Sequence, residues 1–400
     1  MVLTNSMLYL KTGQKNSLLI TAMLCLSITA VFAQFSIRFK LINVPANHRQ
    51  DTIFAAGNFN NWNPAEIKAG IAGLADTAFI ELKDLPAGPY QFKFTRGGWQ
   101  RAEVAADGKD VANRQLNLLS DTTVNISIEA WKYDFPAIIK RHTASKNVRI
   151  IDTAFFMPQL KRTRRIWLYL PPGYAKSKKH YPVMYMQDGQ NIFDEYTAGF
   201  GEWGVDETLD SMIKLGRPAS IIVGIDNGPQ RLNEYNPYHF KEYGNGEGDE
   251  YLEFIVKTLK PFIDKHYRTL PTNDNTIISG SSMGGLIAYY AMLKYPKVFG
   301  KAGIFSPAFW TAEKIKKLTE LKGKNITGTL FFYMGGKEGE RYAEDMKEVT
   351  DELGKNSLAL IYVVTDPESA HNELAWRKWF PEFYSWVLAK GFNNIIDVEE

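Results

Sequence analysis

The stretch Asn275-Thr-Ile-Ile-Ser-Gly-Ser-Ser-Met-Gly-Gly285 decides the fold, and it continues into Leu-Ile-Ala-Tyr-Tyr-Ala-Met-Leu-Lys294. Residues 276–279 have the pattern of a short buried strand, and residues 286–294 carry apolar side chains at helical spacing. A G-x-S-x-G turn lies between them, which is the setting of a nucleophile elbow. Glycine avoids Cβ clashes at so sharp a turn, and Ser282 is held there with its hydroxyl free. We predict that Ser282 is a nucleophile; the alternative is an ordinary strand-to-helix loop.

An alternation of strand and helix patterns begins near residue 155. Predicted strands lie at residues 165–170, 181–186, 219–225, 329–334 and 357–364, and predicted helices at residues 204–215, 249–267 and 376–388. Such alternation predicts a mostly parallel sheet that is covered by helices on both faces. Catalytic groups are then expected beyond the carboxyl ends of the strands.

Two residues downstream of the elbow complete a catalytic set with Ser282. A serine nucleophile needs a base that takes its proton, and the base needs an acid that fixes its tautomer. His371 follows the last predicted strand, and Glu338 follows the strand before it. The resulting serine, acid, histidine order is that of α/β-hydrolases. Glu340 competes with Glu338 for the role of acid, and a solvated carboxylate or a structural histidine is the alternative for either position.

An acyl-transfer intermediate also needs two backbone N–H donors for its oxyanion. Met283, the residue after the nucleophile, is the candidate for the first donor. The second donor is expected in the loop after an early strand, where the sequence reads Met186-Gln-Asp-Gly-Gln-Asn191. Gln190 is our candidate there.

The first 33 residues have the features of a secretory signal peptide. Two lysines precede an apolar run at residues 17–33, which ends in Ala30-Val-Phe-Ala33. We predict cleavage before Gln34 and therefore a periplasmic or secreted protein; a retained membrane anchor is the alternative. The single cysteine, Cys25, lies in this run, so the mature chain is expected to have no disulfide and no cysteine metal site.

The composition excludes some classes of function. The chain has 400 residues, of which 45% are apolar and 23% charged, as in globular proteins of two or three domains. The formal net charge of +3 is too small to indicate a nucleic-acid partner, and we expect none. We also expect no membrane association of the mature chain, because no second apolar stretch is long enough to span a bilayer.

The segment between the signal peptide and the alternating region has an all-β pattern. Predicted strands lie at residues 35–42, 52–56, 78–82, 90–95 and 124–128, and turn residues separate them. Short strands with such spacing predict a sandwich of about a hundred residues. Trp62 and Trp99 fall in its turns, where flat rings can stack on a pyranose while Lys93 and Asn113 bind its hydroxyls. The alternative is that both rings cap the sandwich core.

Four stretches of this segment resemble the glycogen-binding, early-set type of carbohydrate-binding module. They are Gly57-Asn-Phe-Asn-Asn-Trp62, Leu85-Pro-Ala-Gly-Pro-Tyr-Gln-Phe-Lys-Phe94, Gly98-Trp99 and Ala112-Asn113. The resemblance implies an immunoglobulin-like sandwich in which two tryptophans, a lysine and an asparagine hold the glycan. The charged residues 96–103 depart from the family pattern, and modules of this shape also serve only as packing domains.

Stretches in the second half together resemble the esterase D-like α/β-hydrolases, which include the family-one carbohydrate esterases. They are Tyr169-Leu-Pro-Pro-Gly-Tyr174, Gln187-Asp-Gly-Gln-Asn-Ile-Phe-Asp194, Arg231-Leu-Asn-Glu-Tyr-Asn-Pro237, Gly280-Ser-Ser-Met-Gly-Gly285, Tyr333-Met-Gly-Gly-Lys-Glu338 and His371-Asn-Glu-Leu-Ala-Trp376. The resemblance implies acyl-serine chemistry with Ser282 as nucleophile, His371 as base and Glu338 as acid. It implies no cofactor and no metal.

These observations predict four segments: a signal peptide at 1–33, an early-set sandwich at 34–130, a connector at 131–154 and an esterase domain at 155–393. The expected function is hydrolysis of feruloyl or acetyl esters on a polysaccharide or oligosaccharide. One alternative is a siderophore esterase of the enterochelin type, for which Arg231, Lys241 and Arg377 are candidates for a basic pocket; the alternative for these three residues is that they form surface ion pairs. An alternative of another class is a catalytically inactive glycan-binding protein.

Overall fold

The computed structural model describes residues 34–48, 50–66, 70–72, 79–136, 140–242 and 244–388. The predicted signal peptide and Cys25 lie outside these residues. The chain divides into two compact units, Met1–Ile138 and Ile139–Glu400. Among the described residues, none of the helices combines the length and the apolar character needed to cross a membrane.

The first unit is all-β in its described residues, as predicted. Its strands are β1 Gln34–Asn43, β2 Thr52–Gly57, β3 Gly70–Ala72, β4 Phe79–Pro86, β5 Gly88–Thr95, β6 Glu103–Val104, β7 Arg114–Leu118, β8 Thr122–Ser127 and β9 Ala130–Trp131. One sheet has the order β4-β1-β8, a second has the order β3-β2-β5-β7, and β6 pairs with β9. Phe39, Phe92, Phe94 and Trp131 are buried in the apolar core of this unit.

The second unit is built on one sheet of eight described strands. These are β10 Val148–Met157, β11 Arg162–Tyr169, β12 Val183–Gln187, β13 Ile221–Ile225, β14 Thr276–Ser281, β15 Lys301–Phe305, β16 Thr329–Gly335 and β17 Leu360–Asp366. Their order is β10-β11-β13-β12-β14-β15-β16-β17. The pairs β10–β11 and β11–β13 are antiparallel and the others are parallel, which confirms the predicted α/β class and mostly parallel sheet.

Helices cover both faces of this sheet. They are α1 Val205–Lys214, α2 Arg231–Glu234, α3 Gly248–Phe254, α4 Lys260–His266, α5 Met283–Lys294, α6 Lys314–Lys322, α7 Glu340–Asn356 and α8 Glu373–Leu388. Successive strand residues point to opposite faces, so Tyr185 joins the apolar cluster that contains helices α3 to α7. Its neighbours Met184 and Met186 join the cluster that contains α1 and α8.

Several elements differ from the prediction. The helix predicted at residues 249–267 is α3 and α4 joined by a π-helical turn, Ile255–Leu259, just before Pro261, which has no N–H to donate to a preceding turn. Strand β15 and helices α6 and α7 were not predicted. Residues 148–154, which we assigned to the connector, form the first part of β10 and pair with β11. The four segment boundaries otherwise stay predictions.

The close packing of α8 against the sheet can be tested by adding a side chain at the contact. A Cβ added to the buried Gly303 in β15 would lie 2.4 Å from Phe383 Cζ and 2.6 Å from Ser279 Oγ. We expect Gly303→Ala to destabilise the unit by about 1–3 kcal/mol, because overpacking displaces neighbours. Calorimetry would detect this as a lower Tm.

The matched control for this substitution is Gly354→Ala in the last turn of α7. A Cβ there meets nothing within 4 Å, and the residue is exposed. Removing a helical glycine should raise stability by about 0.5–1 kcal/mol. Equal shifts in Tm for the two variants would contradict the packing that the structure gives to α8.

Candidate active site

Ser282 occupies the sharp turn between β14 and α5. Its backbone has φ 57° and ψ −120°, a conformation that residues other than glycine rarely adopt. Two hydrogen bonds hold it there, from Ser282 N–H to the carbonyl of Phe305 at 2.9 Å and from Ala308 N–H to the carbonyl of Ser282 at 3.1 Å. This strained strand-to-helix turn is the backbone of a nucleophile elbow.

Two glycines let helix α5 approach the strands this closely. A Cβ on Gly280 would lie 2.8 Å from the backbone carbonyl of Gly284. A Cβ on Gly285 would lie 2.8 Å from the carbonyl oxygen of Phe305, which is the acceptor for Ser282 N–H. Side chains at these positions would therefore push the helix away from the turn.

His371 and Glu338 are in direct contact. Glu338 ends the short turn Gly336–Glu338 after β16, and His371 follows β17. The Nδ1 atom of His371 lies 2.7 Å from Glu338 Oε2. A carboxylate can only accept a hydrogen bond, so Nδ1–H is the donor and, in the neutral imidazole, Nε2 keeps its lone pair. The histidine side chain is 45% exposed and the glutamate side chain 2%, so the candidate acid is buried while the candidate base reaches solvent.

The Glu338 carboxylate is held by a further set of donors. Its Oε1 accepts from Gly335 N–H at 2.7 Å and from the Ser306 hydroxyl at 2.6 Å. The Ser306 Oγ in turn accepts from Trp376 Nε1–H at 2.9 Å. Glu340, the alternative acid, is exposed at the start of α7.

Ser306 and Trp376 were not among the predicted site residues, although Ser306 follows directly on β15. The missed strand was the available signal, because it lies between β14 and β16 in the sheet. A polar residue just after its carboxyl end belongs at the same edge as the residues that follow β14 and β16.

The two oxyanion candidates follow neighbouring strands, because β12 and β14 pair in parallel. Met283 is the first residue of α5, where the N–H groups have no acceptor within the helix. Gln190 lies in the turn Gly189–Asn191 after β12. Its Oε1 accepts from Asn227 N–H at 3.1 Å, and its carbonyl accepts from the Thr197 hydroxyl at 2.8 Å. These bonds fix the turn that carries the candidate for the second donor.

The three candidates for a basic pocket differ in their charged partners and in their exposure. Arg231 donates to both oxygens of Asp188, from Nε at 2.7 Å and from Nη2 at 2.8 Å. Such a bidentate pair neutralises the guanidinium charge. Lys241 is exposed, and the Arg377 guanidinium lies 3.9 Å from a carboxylate oxygen of Glu202.

Glu373 is a buried carboxyl that follows His371 by two residues. Burial, together with the nearby Asp188 carboxylate, raises the pKa of Glu373 to about 7, although a backbone N–H and Arg231 act in the opposite direction. This shift was not predictable from the sequence, because the first residue of a helix usually holds its carboxylate in water.

The glycan-binding candidates lie in the first unit. The rings of Trp62 and Trp99 are adjacent, with centroids 6.2 Å apart and planes inclined by 42°. Trp99 is 42% exposed. Phe92 and Arg114 form the last pair between β5 and β7. Lys93 follows Phe92 and Asn113 precedes Arg114, so both residues lie directly beyond this pair.

A comparison with known protein families identifies the second unit. The profile of the Esterase family matches residues 158–381, which are more than half of the chain. The chain belongs to the Esterase family. It is a carboxylic ester hydrolase of the serine type, which favours the enzyme over an inactive glycan-binding protein. The matched residues lie in the second unit, so the early-set assignment of the first unit stays a prediction.

Curated proteins that are similar to this esterase differ in the activities that their names state. It is 32% identical over 184 residues to the "Uncharacterized protein YbbA" of Bacillus subtilis, which covers 44% of this chain and 69% of YbbA. It is 27% identical over 257 residues to an endo-1,4-beta-xylanase/feruloyl esterase of Xylanibacter ruminicola, covering 63% of this chain and 33% of that enzyme. An iron(III) enterobactin esterase of Dickeya dadantii is 27% identical over 252 residues, covering 58% of this chain and 53% of that enzyme.

Solved structures share the fold of this esterase. The BES protein from Bacillus cereus has a TM-score of 0.53 at 18% identity, and the match covers 64% of this chain and all of that one. The enterochelin esterase from Shigella flexneri has a TM-score of 0.50 at 15% identity, covering 88% of this chain and 91% of that one. At these identities the likeness shows the fold alone, and it confirms the predicted α/β-hydrolase class.

The raised pKa of Glu373 predicts a pH dependence of stability. The folded carboxyl has a pKa of about 7 against an ordinary value of 4.5. Its contribution to stability is therefore full below pH 4.5 and is lost as the pH rises through 7. We expect wild-type stability to fall by up to about 3 kcal/mol relative to Glu373→Gln over this range. Calorimetric unfolding of both proteins between pH 4.5 and about 8 measures the difference.

The control for the Glu373 experiment is Glu340→Gln, which changes an exposed glutamate at the start of α7. Its stability should follow that of the wild type at every pH. Parallel pH profiles for wild type and Glu373→Gln would contradict a buried, protonated Glu373.

Proposed function

We propose that this esterase removes feruloyl or acetyl groups from a polysaccharide or oligosaccharide outside the cytoplasm. The observation that carries the proposal is the pair Trp62 and Trp99 in the first unit, two adjacent indole rings of which one is 42% exposed. Exposed aromatic faces stack on the apolar face of a pyranose. Such a pair in the same chain as an ester hydrolase domain fits a substrate in which the ester is attached to a glycan.

The comparisons support the same class of substrate. The relative from Xylanibacter ruminicola is named as a xylanase and feruloyl esterase, and its match covers 63% of this chain. A feruloyl or acetyl ester on xylan is therefore the first substrate to test.

The proposed mechanism follows from the site geometry. Ser282 attacks the ester carbonyl and His371 Nε2 accepts its proton, because Nδ1 is engaged with Glu338 at 2.7 Å. Glu338 holds the imidazole and compensates the charge that develops on it. The Met283 and Gln190 N–H groups donate to the tetrahedral oxyanion. The alcohol leaves with a proton from His371, and water activated by His371 then releases the acid from acyl-Ser282.

A second candidate function is hydrolysis of a siderophore ester. The observation that favours it is the relative from Dickeya dadantii, which is named as an iron(III) enterobactin esterase and matches 58% of this chain. Such substrates are anionic and call for an unpaired basic group near the site. Arg231, one of the basic candidates, already has its charge balanced by the bidentate pair with Asp188. The charge balance therefore favours a neutral ester.

Replacing the proposed nucleophile tests the mechanism. We expect Ser282→Ala to lower hydrolysis of p-nitrophenyl acetate by about 1,000-fold or more, because the acyl-serine cannot form. Ser281→Ala changes the preceding serine in β14 and should retain most of the activity. A Ser282→Ala variant that keeps wild-type turnover would refute the assignment.

Natural substrates then separate the two candidate functions. Purified wild type should release ferulate or acetate from acylated xylan, and Ser282→Ala should not. Hydrolysis of ferric enterobactin without release from xylan would replace the glycan proposal with the siderophore one and would leave the mechanism intact.

The aromatic pair makes a separate prediction about binding. We expect Trp99→Ala and Trp62→Ala to raise the Kd for xylan oligosaccharides by about 2- to 10-fold, since a stacked ring is worth about 0.5–1.5 kcal/mol. Hydrolysis of p-nitrophenyl acetate should stay unchanged. Tyr133→Ala is the matched control, because this aromatic side chain in the same unit is 68% exposed and outside the pair. Equal titration curves for Trp99→Ala and wild type would exclude glycan stacking on the pair.

A further inference from the structure

A cluster of three carboxylates lies at the start of α1, outside the proposed catalytic set. Glu202, Asp206 and Glu207 each offer one carboxylate oxygen, and these oxygens lie within 4.8 Å of one another. Glu202 is 5% exposed and Asp206 is fully buried. Like charges at this spacing repel one another, and burial removes the water that would screen them. The cluster therefore calls for a positive partner.

The dipole of helix α1 and the side chain of Arg377 stabilise part of this negative charge. Asp206 and Glu207 lie in the first turn of α1, where the helix dipole is worth about 0.3–1 kcal/mol for each carboxylate. The Arg377 guanidinium lies 3.9 Å from Glu202 Oε2, and its side chain is 43% exposed. Neither feature supplies a donor to the buried oxygen of Asp206.

The oxygens of the cluster are only partly satisfied. Asp206 Oδ1 and Glu207 Oε2 are buried and have no hydrogen-bond donor in the part of the chain that the structure describes. Two other oxygens of the cluster accept hydrogen bonds: Asp206 Oδ2 from Ser145 N–H at 2.6 Å and Glu202 Oε1 from the Thr143 hydroxyl at 3.1 Å. Carboxylates fixed in this way, with free oxygens close together, are typical of metal ligands.

We propose that Glu202, Asp206 and Glu207 bind a divalent cation, and that this cation is Ca²⁺. All of the donors are oxygens, which hard cations prefer. Ca–O distances are about 2.3–2.6 Å, so ligands on opposite sides of one ion lie up to about 5 Å apart. Separations within 4.8 Å therefore suit a single ion. Mg²⁺ uses the same ligand chemistry with shorter bonds and stricter octahedral geometry, and the test separates the two.

A cation in this cluster would bear on the segment that follows the oxyanion candidate Gln190. Trp203 N–H donates to the Asn191 carbonyl at 2.9 Å, and Val205 N–H donates to the Ile192 carbonyl at 3.0 Å. The start of α1 is thus bonded to the residues directly after Gln190. The cation would stabilise this segment without taking part in the chemistry.

Direct binding to the purified, chelator-treated full chain tests the proposal. Calorimetric titrations with CaCl₂ and, separately, with MgCl₂ are made at about pH 8, because burial raises the pKa of Glu202 and of Asp206 to about 7 and protons compete below that value. We expect one Ca²⁺ per chain with a Kd of about 1 mM or below. Saturating Ca²⁺ should raise the Tm by about 5 °C or more.

Two variants and a control localise the site. Asp206→Asn and Glu207→Gln should each weaken Ca²⁺ binding at least about tenfold and lose the rise in Tm. Asp210→Asn is the matched control one turn along α1, because its oxygens already accept from Asn147 and Tyr169. It should bind Ca²⁺ as the wild type does. If Asp206→Asn does not fold, the less buried Glu207→Gln variant decides.

Three results would overturn this proposal. The first is a wild type that takes up no Ca²⁺ at about 10 mM, far above the Kd expected for such a site, which would mean that the carboxyls share protons instead. The second is wild-type Ca²⁺ affinity in Glu207→Gln. The third is binding of Mg²⁺ alone, which would refute the assignment to Ca²⁺.

Discussion

The backbone of Ser282 at φ 57° is the constraint on which the rest of the site depends. Such a conformation costs about 1–3 kcal/mol, so it persists only where the surroundings enforce it. The enforcement comes from the neighbouring strand, since the Phe305 carbonyl at the end of β15 accepts Ser282 N–H. The same carbonyl lies against Gly285. The position of Ser282, the proposed nucleophile, is therefore defined by the pairing of β14 with β15 and by the close packing of α5 against them.

A buried carboxylate is the second constraint, and the same strands satisfy it. Glu338 is 7% exposed, and an ion in such a place is costly unless donors surround it. Its donors come from the ends of three strands: Ser306 after β15, Gly335 at the end of β16, and His371 after β17. A parallel sheet brings these ends to one edge. The register of the sheet thus fixes the imidazole as well as the serine.

Most strands of the central sheet were predictable from the sequence, but strand β15 was not. Strands β12 and β13 are buried along their whole length, so their apolar runs stand out, and β14 was predicted because a G-x-S-x-G turn follows it. Strand β15 reads Lys-Ala-Gly-Ile-Phe, in which Lys301 and Gly303 interrupt the apolar pattern; the space that Gly303 leaves is filled by Phe383. The residues Ser306 and Trp376 were missed for a related reason. They support Glu338 through contacts across the sheet, and no spacing along the chain reports such contacts.

The oxyanion side of the site is constrained differently from the acid side. On the acid side, strand ends supply the donors directly. On the oxyanion side, Gln190 lies in a short turn whose neighbours Asn191 and Ile192 accept hydrogen bonds from the segment that enters α1. These hydrogen bonds therefore couple the position of the turn to the position of that segment. The same segment carries Glu202 and Asp206, two of the three clustered carboxylates. We therefore expect that a proton or a cation that neutralises those carboxylates also stabilises the turn that contains Gln190, the candidate for the second oxyanion donor.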